Sequence, residues 1–438
     1  MSPGTPAWRP TAAYFRSSAA AVVLVVVALI WRRSDLLVIA TPFAAVTAWA
    51  TIARPRSTPS FEHALGHPTV REGDATTWRG TVDAVDGDGD GAGVVDHAIA
   101  VLAHDAWIET RPRGGCVTAI GVDGRVELDV AVRATRWGVR EIDRVDVVAT
   151  STWGGFHWTT VTTPCTFAAL PAPGVFDVGA SPRPSDGLVG LHRSTRAGDG
   201  NEFAAVRTFQ AGDRMRRINW SRSARTNELQ VNAAWADLDT HVTLLIDATD
   251  DFGASGGVDG AASSLDASVR AAGAIAEHYA PRGERVSMRT FGARVVHEVP
   301  AGTGRAQLRR ILDTMTRIRA GHDVRAIRPG AIGRRAGGGR MTVMLSPLIA
   351  PEALDLAVRL GRQGVGVVVI DTLPDHIAEH DDPLMALAWR VRLLERRREV
   401  RMVTAAGIPV VRWRGPGSLD QVIRDIARRT TGPRMARR

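Results

Sequence analysis

The spacing of apolar and polar positions divides the chain into three regimes. Residues Ser17 to Trp31 (SSAAAVVLVVVALIW) and Leu36 to Ala53 (LLVIATPFAAVTAWATIA) carry no charge. Both approach the length that crosses the hydrocarbon core of a bilayer, so both are predicted as transmembrane helices. Only Arg32-Arg33-Ser34-Asp35 lies between them, which makes the pair a helical hairpin with its short tail in residues 1–56. A signal peptide is the rival reading, but the second apolar segment and the missing small-residue cleavage pattern argue against it. The flanks carry Arg9, Arg16, Arg54 and Arg56, whereas the loop carries Arg32 and Arg33 offset by Asp35. The positive-inside rule therefore predicts a two-pass protein of the cell membrane, held by residues 17–53, with its body in the cytoplasm.

From about Phe61 to Thr163 the period shortens to two. Val126 to Val132 alternates cleanly, and Thr76 to Val82 and Val145 to Ala149 follow in part. Short alternating runs broken by Gly and Asp predict a β-sandwich over residues 57–169. Within it, Asp86-Gly87-Asp88-Gly89-Asp90-Gly91 imitates the start of a calcium loop. The twelfth position, where such a loop needs a bidentate Glu, is His97, so a hairpin tip is the better reading. Residues 170–200 are read as a linker, kept extended by Pro171, Pro173, Pro182 and Pro184.

The third regime, residues 201–438, alternates strands and helices. Strands are predicted at Val242–Ile246, Arg285–Phe291, Met341–Leu345, Gly366–Asp371 and Ile408–Trp413. Helices are predicted at Leu265–Tyr279, Ala306–Ile318 and Pro351–Gln363, with a basic helix from Leu384 and a final one from Ser418. This order implies an α/β domain with a mostly parallel sheet covered on both faces. Its organising stretch runs from Glu202 to Asp251: a polar, basic half, then an apolar run that stops at Asp247. A short apolar run closed by a carboxylate reads as a buried parallel strand delivering that side chain to the carboxyl edge, where open α/β sheets bind ligands.

Composition changes this picture in two places. Every basic residue is Arg, and Lys is absent, so the net charge of +9 reflects compositional bias rather than nucleic-acid binding. From Leu384 onward fourteen Arg face four acidic residues, which accounts for the whole excess. Such a segment suits a lipid headgroup layer or an acidic protein, or is a solvated helix face and tail. Cys116 and Cys165 form no close pair and hence no zinc or redox motif.

The central stretch resembles the bacterial domain-of-unknown-function-58 family, whose members carry a von Willebrand factor A-like domain. The resemblance rests on Glu202-Phe203, Arg207, Gly212-Asp213, Arg217-Ile218-Asn219-Trp220, Ala224-Arg225-Thr226 and Leu229. Arg136-Trp137-Gly138 and Trp153-Gly154-Gly155-Phe156 match the family's preceding segment in part. The resemblance implies a Mg²⁺ site at the first strand's end, where Asp247 and Thr249 match the pattern and Asp251 stands in place of a Ser. Thr303 is available as the hydroxyl of a later loop, and Pro347 stands where the distant Asp is expected, so the site is read as degenerate, with weak Mg²⁺ binding at best and no other cofactor. It implies further an adaptor for MoxR-type AAA+ ATPases, with chemistry supplied by the partner. Gly212, Asp213, Arg217, Asn219, Trp220 and Arg225 then either form a docking surface or brace the domain internally; Arg214, Arg216 and Arg222 add to the same motif. The competing readings are a metal-dependent hydrolase using Asp247, Asp250 and Asp251, and a basic nucleic-acid or lipid-surface binder. No nucleophile elbow, phosphate loop or His-Glu metal helix is present, and His192, His241, His278 and His322 are scattered.

Overall fold

The computed structural model describes residues 7–55, 57–83, 95–122, 124–173, 193–210, 215–237, 241–321, 340–375, 377 and 382–414. The chain forms two compact units, Met1–Leu170 with Gly257–Asp259, and Pro171–Gly256 with Gly260–Arg438.

The first unit opens with a short strand β1 (Arg9–Pro10) and two apolar helices, α1 (Ala12–Trp31) and α2 (Asp35–Ile52). Thr11 caps α1 by accepting from the Tyr14 amide, and Arg32 ends it in the left-handed region at φ 54°. The residues buried in these helices are Ala21, Ala28, Ala40 and Ala50, small enough for two backbones to approach closely. Leu29, Ile30, Val38 and Ile52 face outward. The hydroxyls of Thr41, Thr47 and Thr51 bond back to the carbonyls one turn earlier, which leaves an apolar outer surface. Both helices are long and apolar enough to cross a membrane.

The base of this hairpin is sewn to a β-sheet. Arg9 and Pro10 pair with His157 and Phe156 of β10 (Phe156–Val161). The Thr11 amide and hydroxyl donate to the carbonyls of Gly155 and Gly154 at 3.0 and 2.7 Å. The Trp8 indole donates to the Ser57 carbonyl at 2.8 Å, and the Arg54 guanidinium lies over the Phe156 ring.

Strands β2 (Ser60–Leu65), β4 (Ala75–Asp83), β8 (Arg125–Ala134) and β6 (Ile108–Arg111) form an antiparallel sheet in the order β2-β4-β8-β6. The other sheet runs β1-β10-β9-β11-β3, using β9 (Gly138–Ser151), β11 (Cys165–Leu170) and β3 (Thr69–Arg71). Strand β5 (Val95–His104) also pairs with β9, and β7 (Cys116–Ile120) pairs with β5. One core joins the two sheets: Trp78, Leu128 and Val130 from one meet Ala98, Ile142 and Trp158 from the other. The alternation seen in the sequence is the alternation of that burial, as β8 reads buried at every second residue. The calcium-like Asp86–Gly91 lies outside the described residues, while His97 sits in β5 opposite Thr150.

The second unit begins with an antiparallel pair, β12 (Arg193–Thr208) and β13 (Gln230–Asp237), linked through the short helix α3 (Trp220–Thr226). Strand β12 starts inside the stretch read as linker. The six-stranded sheet that follows uses β14 (His241–Asp247), β15 (Arg285–Phe291), β16 (Glu298–Gly302), β17 (Arg340–Ser346), β18 (Gly366–Asp371) and β19 (Val410–Arg412). Its order is β16-β15-β14-β17-β18-β19, parallel throughout except for the antiparallel edge β16. Among the described residues its helices are α4 (Ser264–Tyr279), α5 (Gly304–Met315), α6 (Pro351–Arg362) and α7 (Pro383–Ala405). The sequence misses β16, a five-residue edge strand containing Pro300. The helix expected from Ser418 falls outside the described residues.

Candidate functional site

Strand order reverses between β14 and β17, because the chain builds outward from β14 on one side and resumes at β17 on the other. A crevice opens at such a point beyond the carboxyl ends of the strands. Here that point is bridged by side chains. Asp247 ends β14 and is buried; its Oδ2 accepts from the Ser346 hydroxyl, at the end of β17, at 2.6 Å. Its Oδ1 accepts from the Thr249 amide and hydroxyl at 3.0 and 2.6 Å. Ser346 in turn accepts from the Leu348 amide at 2.9 Å. Burial pushes the Asp247 carboxyl above its ordinary range; the bonds from Ser346 and Thr249 pull against that, and nearby Asp250 adds to the rise.

Thr249 is held from the far side by Gly292, whose φ is +80°, and a Cβ there would lie 1.9 Å from the Thr249 hydroxyl. The structure therefore brings Asp247, Thr249 and Ser346 together. Asp251, read from the sequence as a metal ligand, goes elsewhere. Its carboxylate accepts from the Ser263 hydroxyl at 3.0 Å, the Ser264 hydroxyl at 3.3 Å and the Leu265 amide at 3.0 Å. It thus satisfies the start of α4, where a negative charge complements the helix dipole. Thr303, the other hydroxyl considered, is the N-cap residue of α5.

Among the described residues, two hydroxyls, of Thr249 and Ser346, direct their protons at the Asp247 carboxyl. Mg²⁺ takes a near-octahedral shell of six oxygens, whereas these three side chains meet as one carboxylate accepting from two hydroxyls. In this arrangement the three side chains form a hydrogen-bonded latch across the strand ends. Among the described residues no three His, Cys, Asp or Glu side chains converge. Ser346 is the partner that sequence reasoning missed; its signal was its place at the end of a buried run aligned with β14.

The Arg-rich motif separates into an inner and an outer part. Asn219 is internal: its amide donates to the Gln230 carbonyl, its side-chain oxygen accepts from the Arg222 amide at 3.1 Å, and its Nδ2 donates to Asn232 at 3.0 Å. Ser223 adds a bond to the Asn219 carbonyl at 2.8 Å. Trp220, one residue on, is 67% exposed, beside a Met215 that is 78% exposed and a half-exposed Leu229. Arg222 and Arg225 are exposed on the same segment, and Arg217 is half-buried. Gly212 and Asp213 fall outside the described residues.

Residues 205–402 match the family described as "Protein of unknown function DUF58", which bears out the resemblance carried by the motif. Uncharacterized proteins of Mycobacterium bovis and Mycobacterium tuberculosis are 31% identical over 213 residues, covering 48% of this chain. The match spans only 58% of those relatives' length. A solution NMR structure of a conjugate transposon protein from Bacteroides vulgatus aligns with 26% of this chain and 86% of its own, at 9% identity. Its TM-score of 0.16 carries no argument about fold.

Proposed function

We propose, with the match over residues 205–402 as premise, that this chain is a membrane-anchored protein-interaction scaffold. In this reading the apolar hairpin is the anchor, the two sheets around one core are a β-sandwich, and the second unit is a von Willebrand A-like adaptor. The strand order with a single antiparallel edge next to β15 supports the last assignment. The observation that carries the function is Trp220, an exposed aromatic on a motif whose neighbouring Asn219 is tied into the fold. Exposed Trp and Arg together are the residue types that dominate protein interfaces. The family resemblance makes a MoxR-type AAA+ ATPase the partner, and the engagement of Asp247 and Asp251 favours a scaffold over a hydrolase.

Full-length protein in detergent would be tested against purified partner ATPase. Trp220→Ala should leave the melting temperature unchanged, the effect on stability staying within about 0.5 kcal/mol. Partner affinity should fall by about thirtyfold, as loss of an aromatic hot spot does. A lowered melting temperature with intact binding would return Trp220 to a bracing role. The body is proposed to lie in the cytoplasm. Cys116 is free and exposed, so an impermeant maleimide should label it in lysed cells and not in intact ones. Labelling in intact cells reverses the orientation.

A further inference from the structure

Helix α7 and the carboxyl ends of β18 and β19 enclose a cavity of about 340 Å³, within the range that takes a small ligand. Its apolar wall comes from Leu373, Pro374, Ile377, Leu393 and the ring of Trp389. Trp389 is fixed by stacking on Phe252, ring centroids 5.6 Å apart. Four guanidinium groups share the lining with two carboxylates.

The charges sort into pairs. Arg396 is buried; its Nε donates to the Pro347 carbonyl at 2.8 Å and its fork pairs with Asp371, which also accepts from the Leu373 amide at 3.1 Å. Arg412 pairs with Asp375. Arg390 is engaged by contacts of its own. Arg397 lines the same cavity, is exposed, and makes no hydrogen bond or ion pair with a described residue. Among the described residues one guanidinium fork is therefore left over, beside an apolar wall and at the edge of the sheet where ligands collect. A planar fork with one uncompensated charge matches one carboxylate, taken bidentately.

We propose that this cavity binds a carboxylate carried on an apolar body, with Arg397 holding the carboxylate and Leu373, Leu393 and Trp389 taking the body. Two sources share that chemistry: a free organic acid, and an acidic residue flanked by apolar ones in a peptide. The site is separate from the Trp220 surface and stands or falls independently of it.

The test titrates full-length protein in detergent by calorimetry with three probes: phenylbutyrate, its neutral amide phenylbutyramide, and the blocked peptide acetyl-Leu-Glu-Phe-amide. Binding of either acid, with the amide weaker by about tenfold or more, is the expected result, since a bond to a charged group is at stake. Phenylbutyrate alone binding identifies the free acid as the source; the peptide binding more tightly identifies a peptide. Arg397→Gln, a change at an exposed position, should weaken the acid by a similar factor while leaving the melting temperature in place. Failure of both acids to bind overturns the proposal. So does equal binding of the amide, or an acid affinity untouched by Arg397→Gln.

Discussion

Asp247 has three donors aimed at it and almost no water around it, and the balance between these two facts is measurable. Its folded-state pKa is raised, chiefly by burial. The native state then holds a proton that the unfolded state has already released, over the interval between the two values. Its contribution to stability is fully present below the ordinary carboxylate pKa and is lost as pH climbs toward the raised one. The stability of the native sequence relative to Asp247→Asn should accordingly fall as pH rises above the ordinary carboxylate range. Chemical denaturation of the full chain in detergent at a series of pH values measures it, and a native sequence that gains stability relative to Asp247→Asn as pH rises would place the folded pKa below the unfolded one. Gly292 offers a second test. Ala there meets the Thr249 hydroxyl at 1.9 Å in a backbone of φ +80°, so Gly292→Ala should cost about 2 kcal/mol or more. A melting temperature equal to that of the native chain would mean Thr249 is not held as described. Asp247 was legible in the sequence because an apolar run stops on it. Its bond to Ser346 spans 99 positions of sequence, and nothing local announces it. Asp251 is ambiguous for the opposite reason: a carboxylate four positions past a strand suits a metal shell and a helix start equally well, and here it bonds the start of α4.

Elements with a clean period were readable, and those without were not. Helix α4 declared itself by Leu265, Val269, Ala272 and Ile275 at helical spacing, and the structure buries that face and most of the rest. Its start is doubly fixed. Ser263 accepts from the Asp266 amide at 3.2 Å while its own amide donates to the Asp266 carboxylate, and its hydroxyl reaches Asp251. Ser263→Ala removes the cap and one support of Asp251 together, and should cost about 1–2 kcal/mol in thermal or chemical denaturation. A loss below a few tenths would show that Asp251 alone secures the helix. The pair β12–β13 was invisible because its register shifts between Gly198 and Phe203 and again before Ala205, and a bulged strand loses the period of two. The hairpin of α1 and α2 lay at the other extreme, since uncharged length alone predicts it.

At the scale of the molecule, the period of two and the strand–helix alternation were legible along the chain, while the return of Gly257–Asp259 to the first compact unit was not. Hidden from the sequence was the return of the N-terminus: Arg9 and Pro10, ahead of the first apolar helix, complete a sheet whose other strands come after the second. Replacing Trp8 to Pro10 with Gly and Ser should lower the melting temperature of the full chain while leaving it resistant to carbonate extraction, because the apolar helices are untouched. Release by carbonate would show that the strand, rather than the helices, holds the protein at the membrane. The same pairing imposes an order in time. Arg9 leaves the ribosome long before its partner His157, and at about 5–20 residues per second the wait is on the order of ten seconds. On the anchor reading proposed above, the hairpin then meets the membrane while β1 is still unpartnered, and the β1–β10 pair closes on a chain whose apolar helices are already placed.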